Sequence, residues 1–468
     1  MSETWEMYEM VQALIQAPAY HLILEGLLML WVLWLLFRKS YDPHEKTILT
    51  MKEKEELIAE WQPEPLVPDV DENHPALRPR IVSSKVGKHV IVNGRQCINM
   101  ATHNYLGMVE NSQVEESALK SLRKYGVGSC GPRGFYGTVD VHLELEAKIA
   151  KFLGTEESVL YSYGFATIAS AIPAYSKRGD VIFVDEGVNF AIQKGLSASR
   201  SVIRFFKHNS TQDLERLLKI QEEDDKKNQK KAKVTRRFLI VEGIYMNHGD
   251  LCPLPELVVL KNRYKVRLFI DESISLGVLG KTGRGVTEHF GVPVEEIDLV
   301  MASLEFAFGS SGGFCTGSTY VVDHQRLSGL GYCFSASLPP MLASAATAAI
   351  KIIEEDPSII ETLSSNAQSI HSKLKELNGL EVTGIPISPI KHLHLATCND
   401  SRDVESAKLE KIVHYAWENG VALTMASYLE QDEVHLPRPS IRLTVNALLT
   451  EEDITDVVRT LHKACMLL

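Results

Sequence analysis

Three apolar runs in the sequence each end in a polar residue that could bind a ligand. VIFVD ends at Asp185, VRLFID ends at Asp271, and LVMAS ends at Ser303. Runs of this kind are typical of buried parallel strands, and ligands bind where the carboxyl ends of such strands meet. A carboxylate at this edge, such as that of Asp271, could hold a protonated ring nitrogen. A loop cap or a salt bridge would use the same residue, so the spacing alone leaves both interpretations open.

Glycine is concentrated in three segments near these runs. Residues 126–137 read GVGSCGPRGFYG, residues 162–166 read SYGFA, and residues 310–313 read SSGG. Glycine lets the backbone turn sharply or lets another group approach it closely. A helix that begins after such a turn can bind a phosphate through its first N–H groups. Each segment alone is weak evidence, since many turns between strands and helices contain glycine.

The order of elements predicts an α/β fold with a mainly parallel sheet. The predicted strands are residues 159–161, 181–185, 238–242, 266–271 and 299–303, with helical or loop stretches between them. The sequence SQVE at 112–115 predicts a capping box that begins a helix ending at Gly126. A second helix is predicted from Val141 to Gly154. Residues 222–237 carry charges of both signs and are interpreted as a solvated insertion.

Composition excludes several classes of protein. With 45% hydrophobic and 23% charged residues, the chain is neither disordered nor fibrous. The formal net charge of −11 argues against a nucleic-acid-binding surface. The seven cysteines are dispersed and contain no CxxC pair. Their pattern indicates a reducing compartment and argues against both a zinc site and a disulfide framework.

The first 40 residues differ from the rest of the chain. Residues 19–37, AYHLILEGLLMLWVLWLLF, are long and apolar enough to cross a hydrocarbon core of about 30 Å as a helix. Glu25 lies near one end, where its carboxyl group can reach the headgroups. No Lys or Arg precedes the run, which argues against a cleaved signal, and Arg38 and Lys39 follow it. The positive-inside rule therefore places the long C-terminal part in the cytosol, with a buried or interfacial helix as the alternative.

Taken together, these segments resemble the α-oxoamine synthase family of pyridoxal-phosphate (PLP) enzymes from about Ile98 to the C-terminus. The matching segments are GVGSCGPRGFYG, HLELE at 142–146, SYGFA, DE at 271–272, SSGGF at 310–314, FSASLPP at 334–340 and IRLT at 441–444. The resemblance implies an α/β chain with the PLP-dependent transferase fold of type I, which has a large, doubly wound, mainly parallel sheet domain and a smaller C-terminal α/β domain. It also implies an enzyme that joins an amino acid to an acyl-CoA with loss of carbon dioxide, its cofactor held as a Schiff base on a lysine.

The membrane segment and the resemblance together give the expected domains. These are a lumenal N-terminus (1–18), a transmembrane helix (19–37), a juxtamembrane helix with a Pro-rich linker (38–97), a large PLP-transferase-like domain (98–340) and a small C-terminal domain (341–468). The linker contains WQPEPLVP at 61–68, and its prolines exclude a helix there.

The sequence departs from the family pattern at the cofactor site. The family lysine lies six residues before the Gly-Gly pair, which is Phe306 here, and residues 282–350 contain no lysine. The family histidine that stacks on the cofactor corresponds to Asn189, and a second family histidine corresponds to Ile274. Phenylalanine cannot form an imine. The resemblance therefore implies that this chain has no catalytic residue and binds no cofactor covalently, with Asp271 as a vestigial ligand of the ring nitrogen.

Because family members are dimers with shared active sites, the resemblance assigns residues of this chain to a partner's site. Ser335 and Ser337 are expected to face the phosphate of PLP in the partner, with internal turn bonding as the alternative. Cys130 and Arg133 are expected at the shared substrate site or at the interface. Arg442 matches the family arginine that binds a substrate carboxylate.

The resemblance is greatest to a lysine-less, membrane-anchored subunit within that family. It implies a heterodimer with a lysine-bearing subunit, in which serine and palmitoyl-CoA meet at the first step of sphingolipid synthesis. It also implies small membrane regulatory subunits and a single-pass location in the endoplasmic reticulum membrane. A nucleic-acid partner is not expected. The alternatives are a self-sufficient acyltransferase homodimer and a membrane scaffold with no part in the active site.

Overall fold

The computed structural model describes residues 8–9, 12, 16, 18–38, 50–67, 77–397 and 401–466. The chain divides into two compact units, residues 1–79 and residues 80–468. Most of the predicted lumenal segment 1–18 and parts of the predicted linker lie outside the described residues. The compact second unit begins before residue 98, where the large domain was predicted to start.

The described part of the first unit includes the helices α1 (Ala19–Phe37) and α2 (Met51–Glu60). Helix α1 has the bounds predicted for the transmembrane helix, and none of its side chains is buried. Among the described residues it is the one helix that is long and apolar enough to cross a membrane. Helix α2 begins with a capping box, in which Thr50 and Glu53 bind each other's backbone N–H.

The second unit contains three sheets and helices packed on them. Its strands are β1 His89–Val92, β2 Arg95–Asn99, β3 Glu157–Tyr161, β4 Val181–Asp185, β5 Val202–Phe206, β6 Arg237–Glu242, β7 Arg267–Asp271, β8 Leu299–Ser303, β9 Gly313–Gly317, β10 Leu380–Thr383, β11 Ile390–Leu395, β12 Val421–Ala422, β13 Thr424–Met425 and β14 Ile441–Thr444. Its α-helices are α3 Ser112–Tyr125, α4 Asp140–Leu153, α5 Gly164–Tyr175, α6 Phe190–Ser199, α7 Thr211–Lys227, α8 Gln229–Ala232, α9 Leu254–Tyr264, α10 Val286–Phe290, α11 Thr319–Ser328, α12 Leu330–Cys333, α13 Pro340–Glu355, α14 Ser358–Leu374, α15 Arg402–Glu418 and α16 Glu451–Cys465. Shorter helical turns lie at Met108–Glu110, Arg133–Gly137 and Val294–Glu296.

The main sheet has seven strands in the order β3-β9-β8-β7-β6-β4-β5. Strands β8, β7, β6, β4 and β5 are parallel, whereas β9 runs antiparallel to both of its neighbours. Strands β4 and β8 have the predicted bounds, and every residue in them is buried. They read as continuous apolar runs because helices cover both faces of a parallel sheet.

Two smaller sheets complete the second unit. Strands β10, β11, β14 and β13 form an antiparallel sheet in that order. Strands β1 and β2 form a hairpin, and β12 adds to β2 in parallel. Residues 89–97 were predicted to belong to the linker, but they lie in this hairpin because Val90, Val92 and Cys97 are buried in a small apolar cluster with Ala422. The division of the second unit at residue 340 stays a prediction.

The capping box predicted at 112–115 is wrong by one residue. Helix α3 is capped by Asn111, whose side-chain oxygen accepts hydrogen bonds from the N–H groups of Gln113 and Val114 at 2.9 and 3.4 Å. Asparagine accepts such bonds as well as serine does, and Asn111 stands one residue before the predicted cap. The helix ends as predicted at Gly126, which has a positive φ of 79°.

Candidate functional site

Four polar residues lie at the carboxyl ends of adjacent parallel strands of the main sheet. Asp185 ends β4, Glu242 ends β6, Asp271 ends β7 and Ser303 ends β8, and all four side chains are buried. Three of them were predicted from the sequence as possible ligand-binding residues, whereas Glu242 was not. The same signal, a polar residue ending an apolar strand, would have found it.

Asn189 joins two of these strand ends. Its side-chain amide donates to Asp271 Oδ2 at 2.8 Å, and its backbone N–H donates to Glu242 Oε1 at 2.6 Å. Its side-chain oxygen accepts from the N–H of Ile192 at 3.2 Å, which caps helix α6. The second oxygen of Asp271 accepts from the N–H of Ser273 at 2.9 Å. Both carboxylate oxygens of Asp271 therefore already have a partner inside this chain.

Burial disfavours the charged forms of Glu242 and Asp271, which lie side by side. It raises the pKa of Glu242 to about 8, with a further contribution from the neighbouring Asp271. Burial also raises the pKa of Asp271, although hydrogen bonds from Ser273 and Asn189 oppose the rise. Because the Glu242 and Asp271 carboxyl groups are neighbours in a buried site, it is unfavourable for both to be ionised near neutral pH.

Phe306 occupies the position predicted for the family lysine and lies in an aromatic cluster. Its ring centroid is 4.6 Å from that of His103 and 6.3 Å from that of Tyr105. The Tyr105 N–H donates to the Phe306 carbonyl oxygen at 3.1 Å, and the Tyr105 hydroxyl is 2.7 Å from His103 Nδ1. Burial lowers the pKa of His103 to about 3, so its imidazole is neutral. Ile274, at the position predicted for the second family histidine, is buried in the core.

Arg442 faces neutral groups. It lies on β14 opposite His392, and its guanidinium makes one long hydrogen bond, at 3.4 Å, to the Ala101 carbonyl oxygen. Among the described residues no carboxylate pairs with it, and its buried Nε has no hydrogen-bond partner. Burial lowers the pKa of His392 to about 3, with Arg442 contributing. The arginine is thus a half-buried cation without a carboxylate partner among the described residues.

The glycine-rich loop 126–137 and the segment 334–338 are fastened together; we call them the loop–segment pair. The backbone N–H and the hydroxyl of Ser337 both donate to the Gly131 carbonyl oxygen, at 2.9 and 3.0 Å. The Ser129 hydroxyl donates to the Ser337 carbonyl oxygen at 2.9 Å. His142 on helix α4 binds the Leu338 carbonyl oxygen at 2.6 Å through Nε2. Two regions that the sequence analysis considered separately therefore form one surface.

Arg133 fixes this loop to the body of the protein. Its guanidinium makes two hydrogen bonds to the Glu146 carboxylate, at 2.7 and 3.0 Å, and both side chains are buried. Cys130, three residues earlier, is exposed and has a positive φ of 57°. The role of Arg133 and Cys130 at a substrate site or interface stays a prediction.

The two serines predicted to face a partner differ in this chain. Ser337 is buried, and its hydroxyl donates to the Gly131 carbonyl oxygen. This is the internal turn bonding that was given as the alternative. The Ser335 side chain is partly exposed, and its hydroxyl has no hydrogen-bond partner within the described ranges. Their role at a partner's cofactor stays a prediction, and Ser335 is the better placed of the two.

Comparison with known proteins places this site in a family. The family model for aminotransferase class I and II matches residues 95–461. The chain belongs to this family. Among relatives in the aminotransferase class I and II family, long chain base biosynthesis protein 1b of Oryza sativa subsp. japonica is 48% identical over 444 residues, covering 95% of this chain and 91% of that protein. Serine palmitoyltransferase 1 of Dictyostelium discoideum is 43% identical over 468 residues, covering 98% of this chain and 96% of that protein.

A solved structure shows the same fold. A serine palmitoyltransferase from S. paucimobilis with a bound PLP–myriocin aldimine aligns with a TM-score of 0.73 at 26% identity, covering 82% of this chain and 90% of that chain. The predicted PLP-dependent transferase fold of type I is therefore confirmed.

Proposed function

We propose that this chain is the non-catalytic subunit of a heterodimeric serine palmitoyltransferase. With a lysine-bearing partner it forms the complex that condenses L-serine with palmitoyl-CoA to 3-ketosphinganine, the first step of sphingolipid biosynthesis. The chain stabilises its partner and helps to form the partner's site. The observation that carries the proposal is the absence of any lysine from residues 282–350, in a chain whose relatives include serine palmitoyltransferases.

The residues at this chain's own strand ends do not fit PLP. The cofactor uses an amine for its Schiff base and a carboxylate for its ring nitrogen. Phe306 stands at the position predicted for the amine and packs against His103. The Asp271 carboxylate is bonded to Asn189 and Ser273. We therefore assign the cofactor to the partner subunit and derive no step of the reaction through this chain's own strand ends.

The loop–segment pair is the surface that we assign to the partner. Phe135, Tyr136 and Phe334 all lie on it with largely exposed side chains. Large aromatic side chains are uncommon on a free surface and are enriched at interfaces, where burying them stabilises the complex. Ser335, with its free hydroxyl, lies next to Phe334 and would face the partner's cofactor phosphate.

The apolar helix supports a membrane location. Helix α1 has no buried side chain, which suits a lipid environment better than the core of a soluble domain. We propose a single pass through the endoplasmic reticulum membrane with residues 80–468 in the cytosol, because Arg38 and Lys39 follow the helix. Small membrane subunits would bind beside it. This location suits the reaction, since palmitoyl-CoA and its product partition into bilayers.

The proposal is tested by purifying the chain alone and together with a lysine-bearing partner. The chain alone is expected to show no Schiff-base absorbance with PLP and to release no carbon dioxide from serine, whereas the pair is active. Absorbance or carbon dioxide from the chain alone would overturn the proposal in favour of a self-sufficient homodimer.

A pure scaffold makes a different prediction for the loop–segment pair. Ser335→Ala is expected to lower the turnover of the assembled complex without reducing the amount of complex recovered, because this hydroxyl has no structural partner in the described chain. Ser365→Ala, which removes another exposed serine hydroxyl, is the matched control and should change nothing. Unchanged turnover in both variants would favour the scaffold.

A further inference from the structure

The start of helix α5 lies against the loop that precedes Phe306. Gly164 begins this twelve-residue helix, and Tyr163 at its N-cap position makes no side-chain cap. A Cβ atom added at Gly164 would lie 2.6 Å from the Ser303 hydroxyl oxygen, so the two residues touch. The N–H of Glu305 donates to that same Ser303 hydroxyl oxygen at 3.1 Å. Glu305 is therefore the next side chain beside the start of the helix.

The Glu305 carboxyl group interacts with the start of this helix. Burial raises its pKa above the ordinary value, while hydrogen bonds from the Gly164 N–H and the Ser303 side chain act to lower that pKa. The residue is only partly exposed. The first N–H groups of a helix and the helix dipole favour a negative charge at this point, which is how such a turn holds a phosphate. Here the negative charge belongs to the chain itself.

We infer that Glu305 takes the place of a cofactor phosphate in this chain, so that its own pocket excludes PLP even when an amine is supplied. A phosphate at the start of helix α5 would compete with the Glu305 carboxylate for the same N–H donors. Two neighbouring anions repel each other strongly in a partly buried site. The inference rests on the proposed non-catalytic role, because both concern the same pocket. It differs in attributing the loss of cofactor binding to an added charge as well as to a missing lysine.

A second contact occupies the group that would bind the other end of the cofactor, the Asp271 carboxylate. The ring nitrogen of the cofactor would need an oxygen of Asp271, but Asn189 already donates to Oδ2 at 2.8 Å. Asn189 cannot turn away freely, because the same side chain caps helix α6 through Ile192. The internal carboxylate and the internal amide thus replace the two polar ends of the cofactor with side chains of the chain.

The decisive experiment returns the amine with and without the carboxylate. Phe306→Lys alone is expected to show no Schiff-base absorbance with PLP, whereas Phe306→Lys combined with Glu305→Ser gains that absorbance. Absorbance in the single variant would overturn this inference but leave the proposed function standing, because the lysine alone would then explain the loss. Absorbance in the unaltered chain would overturn the proposed function itself.

A second measurement covers the case in which a lysine within the aromatic cluster prevents folding. Inorganic phosphate is titrated into the full-length chain, and the melting temperature is followed. Glu305→Ser is expected to melt below the unaltered chain and to regain stability in phosphate, binding it about tenfold or more tightly. Glu295→Ser, which removes an exposed carboxylate in the turn before strand β8, is the control and should not respond. Equal responses of all three proteins to phosphate would contradict the inference.

Discussion

At the residue scale, Asn189 performs two structural tasks at the position predicted for a family histidine. It caps helix α6 and it bonds to Asp271 between two buried carboxyl groups. We expect Asn189→Ala to lower the free energy of unfolding by about 2 kcal/mol, because the variant loses a cap and leaves a buried acceptor unpaired. Urea unfolding measures the change. Asn111→Ala, which loses only the cap of helix α3, should cost about 1 kcal/mol, and an equal loss in both variants would contradict the double role.

Cys130 adopts a backbone conformation that glycine adopts more readily. Its φ of 57° lies in the left-handed region. We expect Cys130→Gly to keep or slightly raise the melting temperature, and Cys130→Val to lower stability by about 1–2 kcal/mol, since a β-branched residue is strained there. Cys130→Trp is expected to reduce turnover of the complex more than it destabilises the chain, because the residue is exposed on the loop–segment pair. Unfolding of the chain by that substitution would contradict this assignment.

The sequence allowed the strand-end residues to be predicted, but not their bonds. Asp185, Asp271 and Ser303 could be found because each ends an apolar run. The bond between Asn189 and Asp271 joins residues 82 positions apart and depends on the order of strands in the sheet. Glu305 is adjacent to Phe306 in the sequence, but only the folded structure brings it to the start of helix α5.

At the scale of elements, the buried pair of Arg133 and Glu146 joins the glycine-rich loop to helix α4. We expect Glu146→Gln to lower the free energy of unfolding by about 3–5 kcal/mol, because it leaves the buried guanidinium without a counter-charge. The loop should also become accessible to protease before the rest of the chain. Limited proteolysis tests this, with Glu144→Gln on the same helix, where the side chain is exposed, as the control. Loss of stability without early cleavage of the loop would show that the pair supports the core instead.

Strands of the main sheet were predicted correctly where the local sequence is a continuous apolar run. They were missed where a segment becomes a strand only through pairing with distant parts of the chain. The strands ending at Asp185 and Ser303 are long apolar runs and were placed correctly. Strand β9 was missed, because Gly313–Gly317 contains two glycines and few apolar residues. It is a strand because it pairs between β3 and β8, over contacts that span the chain.

At the scale of the whole molecule, the half-buried His208 connects the end of strand β4 to the loop after β6 and makes stability depend on pH. His208 is 2.7 Å from Asp185 and 2.9 Å from Asp250, and it stacks on His248 at 4.1 Å. Burial lowers the pKa of His208, but the bonds to the two carboxylates outweigh it and raise the pKa to about 10. Burial lowers the pKa of His248, which keeps that ring neutral.

Because the pKa of His208 is raised above its unfolded value near 6.5, its contribution to stability is complete below that pH and is lost as pH rises through about 10. We therefore expect the difference in unfolding free energy between the unaltered chain and His208→Gln to shrink by on the order of 2 kcal/mol from pH 6.5 to 9.5. Urea unfolding at several pH values measures it, and comparing the two proteins cancels the titration of the groups that do not interact with His208. A constant difference would contradict the raised pKa.

The carboxylate beside helix α5 also bears on nutrition. PLP is the active form of vitamin B6, and an apoenzyme that completes its fold around this cofactor loses stability when the vitamin is scarce. We infer that this chain carries its own anion at that point and does not bind PLP. Its stability is then expected not to depend on the supply of the vitamin.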